Sequence, residues 1–490
     1  TLENEDIGVY ARSIQSGKWF LLNVIGQKAI NFFTFFVLAR LLDPRDYGVI
    51  GIVLLILGFM DQVTNPSFGQ ALMREKRSIE HYLDPYWTFE IIRYTVIAIA
   101  LFFSAGAIGN FFHFQGTEST LLRWSGSLLL IAAFGNVRQL YLQKNLQFEK
   151  LFIRDIVGQV AFAIAAVCFA LFVQPTVWAL FVGYLGSYVI SVILTHFLYP
   201  SRPAFSFRFA PLRDLVSYSK WVYGQNLLDV VLAQFDKLIV GRLLNPTSLG
   251  LYSKGKDLAS MTTSIMSSMI AKVGFAAIAK VQDQMDKVRR GFLKSIDVLL
   301  LGGLPVTLLL LLEGGMIVSL LLGSKWLGLV IPLKIFAFGN LFLAFVRIVN
   351  PVLAALGRPD VNFKTNVIQT IISVPSMVIG YRLAGIQGLA SAVVFTWIFL
   401  LVYVIIRARP VLNIAVRAFV PAVVSGSLAC LGVFLVDIAG RPFIHALAMP
   451  WVTVVWIGGL IALYFICLFA VSRRFSGGPW ETLVSIWRTL

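Results

Sequence analysis

Apolar runs of bilayer length recur along nearly the whole chain, and no other feature restricts its fold as much. A hydrocarbon core about 30 Å thick is crossed by about 20 helical residues. Such runs can be cut near 18–42, 47–70, 85–110, 121–143, 151–173, 177–199, 218–241, 249–272, 291–313, 329–356, 361–383, 386–407, 414–437 and 450–472. Within lipid, every backbone N–H and C=O must be bonded inside the protein, so only helices and closed barrels span. The period-two alternation of an outer-membrane barrel is missing from the sequence, which leaves helices. The expected fold class is an all-α polytopic membrane protein with about fourteen transmembrane helices. Composition agrees: 58% of the 490 residues are hydrophobic and 13% charged, and the mean hydropathy is +0.81.

Two of these runs are variants of one helix. KWFLLNVIGQKAINFFTFFVLARLLDP, Lys18–Pro44, aligns without a gap on KWVYGQNLLDVVLAQFDKLIVGRLLNP, which starts at Lys220. The KW start and the RLL-x-P end coincide. Asn23 falls on Gln225, Gln27 on Asp229 and Thr34 on Asp236. The repeat divides the chain into a lobe at 1–200 with helices 1–6 and a lobe at 218–410 with helices 7–12. Helices 13–14 and a tail follow at 411–490. The basic, aromatic and proline-punctuated segment 201–217 is expected to lie at the inner membrane surface, where Phe and Arg suit the headgroups. An even number of helices per lobe makes the repeat parallel, the layout of a transporter whose lobes alternate access.

Lys and Arg gather on one side. Arg74, Lys76, Arg77, Lys144, Lys150, Arg154, Arg202, Arg208, Arg213, Lys280 to Lys294, Arg407, Arg409, Arg473 and Arg474 fall on every second loop or at its flanks, whereas NFFHFQGTEST and VQPTV carry no cation. The bias places both termini in the cytoplasm of a multi-pass protein of the bacterial inner membrane. It also accounts for most of the formal charge of +17, so no nucleic-acid partner is expected. The polar start TLENEDIGVY is not expected to be a cleavable signal peptide. Cys168, Cys430 and Cys467 lie within spans at unrelated spacings and read as packing residues. GLYSKGKD at Gly250–Asp257 mimics a phosphate-binding loop but lacks its terminal Ser/Thr and follows no strand. No cofactor, metal or enzymatic site is expected.

Polar residues inside the spans are costly and therefore informative; a central charge costs about 2.5–3.5 kcal/mol on insertion scales. Asn23, Gln27, Asn31 and Thr34 share one helical face, with Lys28 at its edge, and Gln225, Asp229 and Asp236 repeat the pattern. Asp61 lies on the second span with Gly58 and Asn65. Lys254 and Asp257 lie on the eighth, and Asn340, Arg347 and Asn350 on the tenth. The structural alternative is that amides bridge helices and that Lys254–Asp257 and Glu90–Arg93 neutralise each other. The functional reading makes Asn23, Gln27, Lys28, Asn31, Gln225, Lys254 and Arg347 candidates for substrate binding. Asp61, Asp229 and Asp236 are then candidates for ion coupling.

ARLLDPRDYGVIG, FGQALMREKRSIEHYLDPYWTFEI, LQFEKLFIRDIVG and DKLIVGRLLNPTSLGLYSKGKDLASM resemble the polysaccharide transporter family of the multidrug/oligosaccharidyl-lipid/polysaccharide superfamily. These are Wzx-type flippases, and the colanic-acid and succinoglycan exporters are the most similar branch. The resemblance implies two six-helix lobes, two appended helices and a central cationic cavity. It also implies a substrate, an oligosaccharide on undecaprenyl pyrophosphate, flipped to the periplasmic leaflet with energy from an ion gradient. Membrane lipids and a polysaccharide polymerase with its co-polymerase are the implied partners. The alternatives within the superfamily are a lipid II-type precursor flippase and a multidrug/cation antiporter. An embedded polymerase or ligase would show a large loop carrying catalytic residues.

Overall fold

The computed structural model describes residues 2–75, 78–145, 147–199, 203–280, 284–414, 416–447, 450–472 and 480, all helical apart from short connections. It forms two compact units, Thr1–Gly250 and Leu251–Leu490.

The first unit holds α1 (Leu2–Leu41), α2 (Pro44–Thr64), α3 (Phe68–Arg74), α4 (Glu80–Phe111), α5 (Thr117–Ala133), α6 (Leu140–Lys144), α7 (Phe148–Phe172), α8 (Val177–Leu198) and α9 (Ala210–Leu243). It pairs α7 with α8, α4 with α5 and α1 with α7. The second holds most of α10 (Pro246–Lys280), then α11 (Met285–Leu321), α12 (Val330–Ala355), α13 (Pro359–Leu412), α14 (Val420–Leu447) and α15 (Pro450–Ser472). There α12 packs on α13, α14 on α15 and α11 on both α12 and α14. The repeat in the sequence starts at α9, yet α9 is grouped with the first unit because it packs on α2, α3 and α4.

Among the described residues, ten helices are long and apolar enough to cross a membrane, or eleven if Thr117–Ala133 and Val137–Lys144 form one span bent by 65°. The bend has a local cause. Asn136 is fully buried; it caps the turn after the break by accepting from Arg138 N at 3.0 Å and ties that turn to the end of α8 by donating to Tyr199 O at 2.8 Å. α2 stops at Thr64 short of the expected 70, because Pro66 drives Asn65 out of the helical region to φ −84°, ψ 108°. α13 is interrupted at Ala384 and Gly385, the latter at φ 55°, a left-handed backbone that glycine adopts without a Cβ clash. The chain reverses there. Gly380 and Gly388 touch backbone to backbone across the reversal, so a Cβ on either would strike the other's carbonyl. Rings such as Phe103, 81% exposed, and Phe172, 83%, face outward, as a lipid-facing surface requires.

Residues 203–209 form an extended strap against α4. Ala204 N donates to Asp84 Oδ1 at 3.2 Å and Ser206 N to Thr88 Oγ1 at 2.8 Å. Phe205 meets Trp87 with ring centroids 4.8 Å apart. Phe209, Leu212 and Leu215 complete a core with Phe68, Leu72, Leu83 and Trp87.

Candidate functional site

The amide face of α1 lies against α7. Asn23 donates to Asp155 Oδ2 at 2.8 Å, and Gln27 donates to Asn23 Oδ1 at 2.9 Å and to Asp155 Oδ2 at 3.4 Å. Asn31 Oδ1 accepts from Gln159 Nε2 at 2.6 Å. Asp155 and Gln159 stand four residues apart, as do Gln27 and Asn31, so the two stripes match rung for rung. The other oxygen of Asp155 accepts from Arg154 Nε at 2.8 Å, and Arg154 also donates to Gln139 Oε1. Thus three of the sequence candidates are brought together and joined to α7, with Lys28 half-buried beside them. Asn31 remains exposed along one side.

Asp61 belongs to a second network. Arg93 on α4, its side chain 4% exposed, bonds Asp61 Oδ1 at 2.8 Å and Glu90 Oε2 at 2.5 Å. The same NH1 reaches Asp61 O at 3.1 Å and Thr64 Oγ1 at 3.0 Å. Tyr94 donates its hydroxyl to Asp61 Oδ1 at 3.0 Å, and its ring lies 4.1 Å below the guanidinium. Two carboxylates share one guanidinium, and Asp61 is the one 32% exposed. From sequence alone, Glu90 and Arg93 read as a closed pair. The reach of Arg93 across 32 positions to α2 has no local sequence signal.

Asp236 is 7% exposed and its Oδ1 accepts from Lys237 N at 2.9 Å. The side chains of Gln225 and Asp229 lie outside the described ones. In the second unit, Lys254 Nζ lies 3.8 Å from Asp257. Arg347 is exposed on α12, and Asn340 is buried and donates to Phe336 O at 2.9 Å.

Two buried acids of the second unit escaped the sequence reading. Glu313, fully buried on α11, faces Arg441 Nε at 3.4 Å. Asp437, 1% exposed on α14, accepts from Trp456 Nε1 at 3.2 Å. Each is the last residue of an expected span, 291–313 and 414–437, where a charge is ordinary; the helices run on past both, to Leu321 and Leu447. Among the described residues, no group of His, Cys, Asp and Glu is arranged to hold a metal ion.

Known proteins resemble this chain in sequence and in fold. A family model described as polysaccharide biosynthesis protein matches residues 37–331. The lipopolysaccharide biosynthesis protein WzxC of Escherichia coli (strain K12) is 23% identical over 418 residues, 84% of this chain and 83% of that one. The teichuronic acid biosynthesis protein TuaB of Bacillus subtilis (strain 168) is 24% identical over 357 residues, 72% of this chain and 73% of that one. Among solved structures, the lipid II flippase MurJ in an inward closed conformation superposes with a TM-score of 0.73 at 12% identity, covering 93% of this chain and 98% of that one. An inward-facing multidrug resistance MATE family transporter of the MOP superfamily gives 0.61 at 15% identity, covering 79% and 94%. At these identities the two structures establish the fold alone.

Proposed function

Because this chain belongs to the polysaccharide biosynthesis protein family, a family of Wzx-type multi-pass membrane transporters and not of enzymes, we propose that it is a flippase for lipid-linked oligosaccharides. Its substrate in this reading is an oligosaccharide repeat unit on undecaprenyl pyrophosphate. The unit moves from the cytoplasmic to the periplasmic leaflet of the inner membrane by alternating access, for exopolysaccharide synthesis. The observation that carries the reading is the family match over residues 37–331. The relatives named for lipopolysaccharide and teichuronic acid biosynthesis support it from sequence.

The chemistry fits this cargo. A pyrophosphate calls for Lys28, Lys254 and Arg347, and a hydrophilic glycan for amides such as Asn23, Gln27, Asn31 and Gln225. Asp61, Asp229 and Asp236 are the proposed coupling carboxylates, drawing on about 2.3 kcal/mol per charge per 100 mV of membrane potential. Fourteen spans follow if the bent pair Thr117–Ala133 and Val137–Lys144 counts as one span, α13 counts twice at its reversal and the more polar α9 and α10 are included. Both termini are then cytoplasmic. The six-plus-six-plus-two division at 1–200, 218–410 and 411–490 belongs to the same proposal, as does hand-over to a polymerase and its co-polymerase.

Deletion tests the reading in the cell. The strain should accumulate full-length lipid-linked repeat units in its lipid extract and export no polymer. Loss of polymer with no accumulated repeat unit points to a step before transport and removes the flippase reading.

A further inference from the structure

The turns that open α2 and α10 carry one nine-residue pattern, Arg-Leu-Leu-x-Pro-x-x-x-Gly, at Arg40–Gly48 and Arg242–Gly250. Both start a helix in the same way, with proline at its first position and an Asp or Asn before it. Asp46 Oδ2 accepts from Asp43 N at 2.9 Å in one, and Asn245 Oδ1 accepts from Ser248 N at 2.8 Å in the other. The two turns also meet. A Cβ on Gly48 would run into the carbonyl oxygen of Pro246, and a Cβ on Gly250 into that of Pro44. Each glycine thus meets the proline of the other turn, which is the reciprocity of a twofold contact. Tyr47 and Leu249, one position before each glycine, are 6% and 1% exposed.

We propose that this crossing is a seal that parts and re-forms during the transport cycle. It rests on the flippase reading for its purpose, and on the proposed orientation for its place at the periplasmic ends of the helices. At the crossing itself backbone meets backbone, and the close approach offers only weak Cα–H···O contacts; side chains pack only beside it, Leu249 against Gly51 and Ile52 against Gly241. Interdigitated side chains would have to repack before parting. At the point of crossing, two glycines have only to separate.

A strap limits how far the turns travel. Arg45 binds Glu118 through Nε and NH2 at 2.7 and 3.0 Å, and Glu118 Oε2 accepts from Gln115 N at 2.7 Å. On the other side, Arg242 NH1 lies 3.0 Å from His113 Nε2, and its guanidinium carbon lies 4.6 Å from the Phe111 ring. A guanidinium only donates, so His113 Nε2 accepts. The connection between α4 and α5 therefore grips both turns, and His113 holds a left-handed φ of 59° in doing so.

The test uses the full chain with Cys168, Cys430 and Cys467 replaced by Ser and Leu249→Cys as reporter, labelled in intact cells with a membrane-impermeant maleimide. Gly48→Ala and Gly250→Ala should each raise the labelling rate by about tenfold, because a methyl that cannot be accommodated biases the turns apart. The two should match, and the double variant should label no faster than either, since one methyl already holds the crossing open. Gly58→Ala, on the same helix with nothing within 4 Å of the added Cβ, should label like the parent. Gly48→Ala labelling like Gly58→Ala, or effects that add in the double variant, would overturn the proposal. If the glycine variants do not reach the membrane, Glu118→Gln decides without adding a Cβ: faster labelling supports the seal, and an unchanged rate overturns it. Labelling needs no substrate, so a failure of the flippase reading leaves this result independent.

Discussion

α1 and α9 are two forms of one helix, but they hold their polar residues in different company. On α1, Asn23, Gln27 and Asn31 meet a matching stripe on α7 through three hydrogen bonds, and Gln27 also donates to Asn23 within α1. On α9, the described bonds to neighbouring helices are sparser: Tyr223 donates to Val63 O at 2.7 Å and Asn226 to Ser67 Oγ at 3.2 Å. The difference lies in the receiving surface. α7 offers side-chain oxygens and amides at helical spacing. The end of α2 offers a free carbonyl and a hydroxyl where Pro66 has stopped the helix. A repeated sequence therefore fixes a repeated helix, and among the described residues the neighbour decides how its polar side chains are bonded.

The seat of α9 is the place to break this comparison hardest. Arg93 ties α4 to α2, and both carry α9. Arg93→Met would leave Glu90 and Asp61 without their guanidinium, a loss of about 3–5 kcal/mol for a buried pair broken on one side. A large fall in the melting temperature of the detergent-solubilised protein is expected, with hydrogen exchange rising in α9 before α1. Similar exchange in both helices would mean that α9 does not depend on this seat.

Asp155→Ala is the converse change, removing two rungs between α1 and α7. Hydrogen bonds between membrane helices average about 0.6 kcal/mol and reach about 1.7, so about 1–2 kcal/mol should be lost, with exchange rising in α1 only. Asn226→Ala, which removes one 3.2 Å bond, should cost less than about 1 kcal/mol and show in α9 only. If Asn226→Ala proved the more damaging of the two, α9 would be the better-fastened helix and the comparison would reverse.

Much of the scaffold was legible because span length and proline act locally. The reversal of α13 at Ala384–Gly385 falls between the expected spans 361–383 and 386–407, and α15 matches 450–472. The bend at Asn136 was not legible, because its partners Thr195 and Tyr199 lie about sixty residues on. The stripe on α1 was visible in its four-residue spacing, but not that Asp155 and Gln159 would meet it. Those two residues sit just after Arg154, which reads as a cation of the inner loops. Arg93 shows the same limit: a neighbour three residues away conceals a stronger claim from another helix.

The most direct measurement of the central claim is translocation in proteoliposomes holding the purified full chain and an undecaprenyl-pyrophosphate-linked oligosaccharide, read by a lectin that cannot cross the bilayer. The account predicts protein-dependent exposure of the glycan, lost in Lys28→Ala and largely retained in Lys28→Arg, because the ammonium at the edge of the α1 face is assigned to the pyrophosphate. Exposure no faster than in protein-free vesicles would contradict the flippase reading itself, and full activity of Lys28→Ala would contradict the place assigned to its headgroup.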